Sequence, residues 1–298
     1  MNCRKICGIY EHYMFLETPN YKFIMSTFLP SFRFLRCPLC RKDFKLSGST
    51  LICKNKHSFD VAREGYANLF NKPIKTKYDK TLFSARRSVT LGGFFDLLAE
   101  TLAGIIAVKF KGASNLTIAD CGCGEGTLFA KIVNTARKKI KNIDAVGVDI
   151  SKDGVKLAAG KNRDMSWIVS DLSNIALKDK SIDVILNILS PANYAEFNRC
   201  AKSGGLILKV IPERGYLSEI RRALGKPKSG GENVKKIFYE NFKNAKETRI
   251  TQKQKIPQAL KKDFLKMTPL SWSVGAEQEN IDFGGELTLD LTILQADI

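Results

Sequence analysis

Long apolar runs are absent from this sequence. No stretch approaches the roughly 18 consecutive apolar residues that a membrane-spanning helix requires, so we expect no membrane partner. Charged residues interrupt residues 1–36, which therefore lack the apolar core of a secretory signal. We interpret these residues as an N-terminal extension, with Met25 as an alternative start. Internal repeats and low-complexity tracts are absent as well.

Acidic residues are scarce relative to basic ones. The 298-residue chain has 48 Lys and Arg against 30 Asp and Glu, which gives a formal charge of +18. Such an excess favours a polyanionic partner such as nucleic acid, because each neutralised phosphate releases counterions. Solvated lysine faces that only keep the protein in solution are the alternative. The length allows one large and one small domain, and 44% hydrophobic residues provide a substantial core.

Histidine is rarer still, since the chain has only two, and one of them lies near three cysteines. Two residues separate Cys37 from Cys40, and three separate Cys53 from His57. This layout suits one structural zinc ion held in a tetrahedron by three thiolates and an imidazole. A redox pair at Cys37 and Cys40 is the rival interpretation, but it would need a thioredoxin-type strand and helix around it. His12 has no ligand-type neighbours in sequence and is interpreted as a bystander.

The other five of the eight cysteines are too scattered to suggest a disulfide framework. Free thiols and a thiolate metal site both fit a reducing compartment, so we expect a cytoplasmic protein. The four-ligand set leaves no position for water, which disfavours a catalytic role for the zinc.

From residue 116 onward, strand-like and helix-like segments alternate. This alternation predicts an α/β fold with a parallel sheet and helices on both faces. Near the end of the chain, apolar and polar residues alternate, which predicts a late antiparallel strand. The predicted strands are Leu116–Asp120, Ile143–Asp149, Trp167–Val169, Ile182–Leu189, Gly205–Ile211 and Leu287–Leu294. The predicted helices are Thr127–Lys141 and Lys152–Gly160, preceded by Ser84–Leu91 and Phe94–Val108 on either side of Gly92-Gly93.

Three glycines, Gly122, Gly124 and Gly126, lie between a predicted strand and a predicted helix. Glycines there let backbone amides approach a ligand closely, and the helix N-terminus favours negative groups. Asp149 ends the second strand, where a carboxylate can accept hydrogen bonds from both ribose hydroxyls. These features suit any adenosine cofactor.

Two details favour S-adenosylmethionine over a dinucleotide. The glycine spacing is GxGxG, and Asp120 precedes it, where a carboxylate would repel a pyrophosphate but can serve the cationic methionine end. Asp171, after the third strand, is placed to reach the adenine amino group. A dinucleotide site and a glycine turn that binds nothing are the alternatives.

From Cys37 to about Trp272, the chain resembles the bacterial 23S rRNA (guanine-N(1)-)-methyltransferases. Each shared motif is weak alone, but their order is specific. The motifs are Cys37-Pro38-Leu39-Cys40, His57 with Phe59-Asp60, Ala62, Glu64-Gly65-Tyr66, Asn68-Leu69, Ala85-Arg86-Arg87, Gly122-Cys123-Gly124-Glu125-Gly126, Asp149-Ile150-Ser151-Lys152, Gly204-Gly205 and Met267-Thr268-Pro269.

The resemblance implies a class I methyltransferase fold behind a zinc module that helps to recognise an rRNA hairpin. It places the zinc ligands on the three cysteines and the histidine described above, and cofactor contacts on the glycine loop with Glu125 and on Asp149. Two further cofactor contacts fall on Phe95, where the family often has Tyr, and on Tyr216, where it has His. The family also implies a homodimer. We divide the chain into the extension 1–36, the zinc module 37–75, linker and helices 76–110, and the methyltransferase domain 111–298.

The substrate side matches the family only loosely, at Asn187–Ala192. Neutral guanine carries a proton on N1, so we expect a base or a held water in the loop Asn187–Tyr194. Glu196 is a second candidate base, with a solvated helix residue as its alternative. No catalytic residue is assigned.

Recognition of the RNA is assigned to aromatic and basic residues. Stacking of a flipped guanine is expected from exposed aromatics, and phosphate contacts from arginines and a lysine-rich stretch. The alternative for the aromatic residues is a buried core position, and the alternative for the basic residues is an ordinary exposed face. The candidates are Tyr66, Phe94 and Phe95 for stacking, and Arg86, Arg87 and Lys226–Lys262 for phosphates.

Together these features predict S-adenosylmethionine-dependent methylation of guanine N1 in a hairpin of large-subunit rRNA. A class I methyltransferase for another RNA or for a small molecule is the first alternative, because it would keep the glycine loop. The second is a catalytically silent RNA-binding protein that retains the fold.

Overall fold

The structure, a computed structural model, describes residues 32–70, 72, 78–227, 230–272 and 281–298. The interpretations of Met25 and His12 lie outside these residues. Two β-sheets organise the described part of the chain, a sheet of three strands and a sheet of eight.

Eleven strands and eight α-helices are formed by the described residues. The strands are β1 (Phe44–Ser47), β2 (Thr50–Cys53), β3 (Ser58–Asp60), β4 (Tyr66–Asn68), β5 (Asn115–Cys121), β6 (Asn142–Asp149), β7 (Ser166–Val169), β8 (Ile182–Ile188), β9 (Ala201–Pro212), β10 (Lys246–Lys255) and β11 (Glu286–Asp297). The helices are α1 (Lys80–Leu91), α2 (Asp96–Lys109), α3 (Thr127–Ala136), α4 (Lys152–Lys161), α5 (Tyr194–Cys200), α6 (Ser218–Ala223), α7 (Glu232–Asn241) and α8 (Lys261–Met267). Short 3-10 turns lie at Gln258–Leu260 and Pro269–Ser271.

The small sheet is an antiparallel meander with strand order β1-β2-β3. Its register pairs Phe44 with Cys53 and Thr50 with Asp60. Side chains alternate along β1, so that Phe44 and Leu46 are buried while their neighbours are exposed. The Phe44 and Phe59 rings meet edge to face, with centroids 5.7 Å apart.

The large sheet has the order β10-β11-β9-β8-β5-β6-β7-β4. Strands β4 to β9 pair in parallel, while β11 pairs antiparallel with both β9 and β10. This confirms the predicted α/β class and the late antiparallel strand. The central strands read as continuous apolar segments because helices cover both of their faces.

Both edge strands of the large sheet were missing from the sequence interpretation. Strand β4 is only three residues long and pairs Tyr66 with Trp167 of β7, about a hundred positions later. Strand β10 is almost entirely polar and exposed, as suits an edge that must not pair with other chains. Neither strand has the apolar period that marks a buried one.

Two helices, α1 and α2, lie between β4 and β5. Asp79 caps α1 by accepting a hydrogen bond from the Leu82 amide at 2.8 Å, and the helix ends at Gly92 as predicted. In the described part of the chain no single helix is long and apolar enough to span a membrane; α1 and α2 meet that test only as a pair bent by 76°.

The aromatic residues expected to be exposed for base stacking are core residues. Tyr66, Phe94 and Phe95 are 5%, 2% and 5% exposed, and they belong to one apolar cluster. The Phe94 ring packs edge to face on Phe264 of α8, with centroids 4.8 Å apart. The stacking interpretation is therefore wrong for Tyr66 and Phe94, because long-range packing buries their rings.

The small sheet is fixed to the large one through the segment that follows β7. Leu35 and Leu177 form a β-bridge, and the Asn174 side chain donates to the Pro38 carbonyl oxygen at 3.0 Å. Charged contacts flank this bridge and fix the orientation of the small sheet. They are Arg36–Asp179 at 2.9 Å and Lys178–Asp43 at 3.0 Å.

Candidate cofactor cavity and zinc centre

The glycine loop joins β5 to α3 and is held against the end of β6. Gly122 has φ +98°, and its amide donates to the Val148 carbonyl oxygen at 2.7 Å. The Gly124 amide donates to Asp149 Oδ2 at 2.8 Å, and the Ser151 amide donates to Asp149 Oδ1 at 2.8 Å. A side chain on Gly122 would not fit, since its Cβ would lie 2.0 Å from Ser190 Oγ.

Asp149 therefore both organises the loop and presents a carboxylate to the cavity. Each of its oxygens accepts one backbone hydrogen bond and keeps a second lone pair. Burial raises its pKa, while these two hydrogen bonds work in the opposite direction. The carboxylate is available to accept from two neighbouring hydroxyls, as the ribose prediction requires.

Asp120 is a buried carboxylate whose Oδ1 has no hydrogen-bond partner among the described residues. Burial, helped by the charge of Asp149, raises the pKa of Asp120 to about 8. An orphaned acceptor of this kind is costly and calls for a ligand that donates to it. The cationic amino group of S-adenosylmethionine has that chemistry, so the residues present fit this cofactor.

A cavity of about 730 Å³ opens at the carboxyl ends of β5, β6, β8 and β9. Six of the predicted cofactor residues line it: Phe95, Asp120, Gly122, Glu125, Asp149 and Tyr216. Three others do not line it: Gly124, Gly126 and Asp171. The Asp171 carboxylate accepts from the Ser173 amide at 2.8 Å, and its proposed contact with adenine stays a prediction.

The cavity is closed by residues far apart in sequence. Phe95 comes from the start of α2, and Tyr216 follows β9; burial raises the pKa of Tyr216 to about 12, so its hydroxyl stays protonated. Arg86 of α1 also lines the cavity and donates to the Met267 carbonyl oxygen at 3.5 Å. Residues from several of the shared motifs, between positions 86 and 267, thus line the same cavity.

Arg87, expected to contact phosphates, also contacts the glycine loop and the start of α3. Its Nη1 donates to Thr127 Oγ1 at 2.8 Å and lies 3.9 Å from Glu125 Oε2. Glu125 is only 3% exposed and also accepts from the Thr127 hydroxyl. The guanidinium of Arg87 thus has a buried carboxylate as its partner inside the protein, and its contact with phosphates stays a prediction.

Replacing Asp120 by asparagine is expected to stabilise the cofactor-free protein near pH 8 and to weaken cofactor binding. The folded pKa of about 8 lies above the unfolded value of about 3.9, so the folded state holds a proton that the unfolded state releases. The contribution of Asp120 to the free energy of unfolding is therefore at its maximum below about pH 4. It falls by up to about 1.4 kcal/mol per pH unit as the pH rises from about 4 to about 8.

Urea unfolding of the wild type and Asp120→Asn at several pH values measures this slope, and calorimetric titration with S-adenosylmethionine measures the affinity. Asp153→Asn is the matched control, because its carboxylate is exposed and lies outside the cavity lining. Identical pH slopes for the wild type and Asp120→Asn would contradict the prediction.

The four predicted zinc ligands converge at one point of the small sheet. Their ligand atoms lie within 4.8 Å of one another; Cys37 Sγ and Cys53 Sγ are 3.5 and 3.4 Å from His57 Nδ1, and Cys40 Sγ is 3.5 Å from Cys53 Sγ. A tetrahedron with Zn–S bonds of about 2.3 Å has edges of about 3.8 Å, close to these separations. Three thiols and one imidazole nitrogen therefore fit a structural zinc ion.

Both halves of the zinc centre turn at a residue in the left-handed region. Arg41 (φ +60°) follows Cys40, and Lys56 (φ +62°) precedes His57. In each turn a backbone amide donates back to a cysteine carbonyl oxygen, from Arg41 to Cys37 and from Lys56 to Cys53. These tight turns bring the ligand pairs together.

On the substrate side, Glu196 is not available as a base. Its carboxylate accepts from Arg199 Nη2 at 2.7 Å and from the Ile175 amide at 2.7 Å, and it does not line the cavity. The sequence interpretation missed Lys209, which lines the cavity and donates to Asn187 Oδ1 at 2.7 Å. The sequence feature that could have identified Lys209 is a single lysine inside the apolar run at the end of β9.

This fold and cavity define a class I S-adenosylmethionine-dependent methyltransferase that carries a zinc ribbon. Family models match two parts of the chain: "RlmA, N-terminal" over residues 35–80 and "Methyltransferase domain" over residues 113–267. The second match covers the parallel sheet and the cavity loops.

Curated relatives extend the match over most of the chain. "Putative 23S rRNA (guanine-N(1)-)-methyltransferase YxjB" of Bacillus subtilis is 36% identical over 88% of this chain and 96% of its own. The 23S rRNA (guanine(748)-N(1))-methyltransferase of Streptomyces fradiae is 33% identical over 65% of this chain and 68% of its own. A solved structure of the plantazolicin methyltransferase BpumL has 17% identity and a TM-score of 0.43 over 72% of this chain and 90% of its own, too weak to add to the assignment. The chain belongs to the 23S rRNA (guanine-N(1)-)-methyltransferase family.

Proposed function

We propose that this protein transfers the methyl group of S-adenosylmethionine to N1 of a guanine in a hairpin of 23S rRNA. The observation that carries the proposal is the cavity in which an orphaned Asp120 oxygen and the Asp149 carboxylate lie beside a loop of Ser190 and Pro191. The cofactor supplies an electrophilic methyl group on a sulfonium. Family membership supports guanine N1 as the acceptor, since two relatives carry that activity in their names.

The protein's residues would act mainly by positioning. Asp120 would accept from the cofactor's ammonium group, and Asp149 from its ribose hydroxyls. Well-oriented reactants reach effective molarities on the order of 10⁵–10⁸ M, which accounts for most of the acceleration such a donor needs. Apolar side chains such as Phe95 and Leu128 would exclude water from the cofactor.

The zinc module and the exposed edge of the large sheet would hold the RNA. Several lysines of the predicted basic stretch pair with carboxylates, so they contribute less than their number suggests: Lys235 with Glu247 and Lys253 with Glu286. Among the described residues, others make no ion pair and remain available for phosphates: Lys236, Lys243, Lys246 and Lys255. Cytoplasmic location, a homodimer and the absence of a membrane partner stay predictions.

Incubation of the purified protein with S-adenosylmethionine and protein-free 23S rRNA, followed by reverse transcription, tests the proposal. Methylation at N1 blocks the pairing edge of guanine, so a new stop beside one hairpin guanine is expected. Mass spectrometry of the digested RNA should identify 1-methylguanosine. Stops that are absent despite measured cofactor binding would contradict the proposal and favour another RNA or a small-molecule substrate.

A further inference from the structure

Lys209 is a buried cation on the substrate side of the cavity. It lies in β9 directly beside Asn187 of β8, and it is only 3% exposed. Its Nζ donates to Asn187 Oδ1 at 2.7 Å and to the Ser190 carbonyl oxygen. Among the described residues no carboxylate forms an ion pair with it, and burial alone lowers its pKa to about 8. A buried cation without a counter-ion is expensive, which makes a functional role the natural explanation.

The two hydrogen bonds leave one position on the lysine nitrogen. As an amine, Nζ can donate both of its hydrogens to Asn187 Oδ1 and the Ser190 carbonyl oxygen and keep a lone pair free. As an ammonium ion, it would have a third hydrogen in that position. The same two acceptors therefore serve both protonation states, which is what a proton acceptor needs.

The loop that contacts Lys209 is strained and lies against the glycine loop. Leu189 has φ +49°, is 38% exposed and lines the cavity beside Ser190. Non-glycine residues in this region cost of order 1–3 kcal/mol and cluster at functional sites. Ser190 in turn packs on Gly122, at the point where the glycine loop begins. Lys209 thus lies where the methyl acceptor and the cofactor must meet.

Other candidate bases near this loop are unsuitable. Tyr194 is the one ionisable residue between positions 187 and 194, and burial raises its pKa to about 12. Glu196 is held by Arg199, as described above. Asp120 belongs to the cofactor's cationic end.

On the basis of the proposed function, we propose that Lys209 is the catalytic base that takes the N1 proton of the target guanine. N1 forms its bond to the methyl carbon while the carbon–sulfur bond breaks and its electron pair stays on sulfur. The N1–H bond breaks and the proton bonds to Nζ through the amine lone pair. Positive charge therefore moves from the sulfonium to Lys209, where Asn187 Oδ1 and the Ser190 carbonyl oxygen accept from the new ammonium ion. Water then removes the proton.

Several ionisable groups lie on the elements around Lys209, and most are already paired. Asp183 of β8 pairs with Lys202, and Asp290 of β11 pairs with Arg249. Others line the cavity with Lys209: Arg86, Asp120, Glu125, Asp149, Arg221 and Lys226. Asp120 has a pKa of about 8 in the cofactor-free protein, so activity must be measured at saturating cofactor.

The test compares single-turnover methylation of 23S rRNA by the wild type, Lys209→Met and Lys209→Arg between pH 6 and 10. Lys209→Met should lose about 10²–10⁴-fold in rate while keeping its affinity for S-adenosylmethionine. Arginine stays protonated, so Lys209→Arg should be similarly slow. The wild-type rate should level off above about pH 8, whereas the Lys209→Met rate should keep rising as guanine itself loses its proton. Lys202→Met, the same change on an ion-paired lysine of β9, should retain the wild-type rate.

A second readout does not depend on activity. Carbon NMR of the lysine Cε, assigned by comparison with Lys209→Met, should show one lysine titrating near pH 8. An ordinary midpoint near 10.4 would overturn the proposal, as would Lys209→Met acting at the wild-type rate or Lys209→Arg retaining most of it. A wild type that binds cofactor but methylates no rRNA would instead overturn the proposed function on which this step rests.

Discussion

Replacing Cys53 by serine is expected to release the zinc, unfold the small sheet and abolish rRNA methylation. Cys53 Sγ lies 3.4 Å from His57 Nδ1 and 3.5 Å from Cys40 Sγ, so its loss removes the centre of the ligand cluster. Structural zinc contributes roughly 10–16 kcal/mol of apparent binding free energy at neutral pH, which a three-stranded sheet with a small core cannot replace. The cofactor cavity is built by other strands, so binding of S-adenosylmethionine should persist.

Metal analysis of the purified protein, circular dichroism and calorimetric cofactor titration measure the three effects separately. Cys200→Ser is the matched control, because it exchanges the same atoms at a buried thiol outside the cluster. A Cys53→Ser protein that retains one zinc per chain and methylates rRNA normally would contradict a structural zinc centre. Simultaneous loss of cofactor binding would contradict the independence of the cavity.

Replacing Gly126 by alanine is expected to destabilise the protein and to displace the cofactor loop. Gly126 has φ +76°, and a Cβ there would lie 2.4 Å from the ring of Trp167 and 2.8 Å from Ala158 Cβ. Backbone strain of about 1–3 kcal/mol and overpacking of about 1–3 kcal/mol should together destabilise the protein by about 2–6 kcal/mol. The displaced loop should also bind the cofactor less tightly, because Asp149 holds it through the Gly124 amide.

Thermal unfolding measures this effect, and a drop in Tm of roughly 3–10 °C is expected for a chain of this size. Gly160→Ala is the control, since Gly160 lies in α4 with nothing within 4 Å of an added Cβ. That change should stabilise the protein by about 0.5–1 kcal/mol through helix propensity. Equal melting temperatures for Gly126→Ala and the wild type would contradict the packing described for the loop.

Much of this protein was determined locally by its sequence. The zinc ligands lie within 21 residues of one another, and the spacing of two ligand pairs is enough to predict their chemistry. The glycine loop and Asp149 follow from one strand–turn–helix unit and the next strand, so their grouping needs only the rule that parallel strands end at the same edge. The central strands were predictable because burial on both faces leaves continuous apolar runs.

Contacts between distant segments decided the rest. The pairing of β4 with β7 and the β-bridge between Leu35 and Leu177 join residues more than 90 positions apart. No local sequence pattern predicts these two contacts. The direction of a charged side chain is also a tertiary property: Arg87 turns inward to Glu125, although its sequence context suits an exposed face equally well. Lys209 becomes a candidate base only in the folded protein, because the sheet places it beside Asn187 and buries it. Composition and spacing record which groups are present, whereas their burial and partners arise only when the chain has packed.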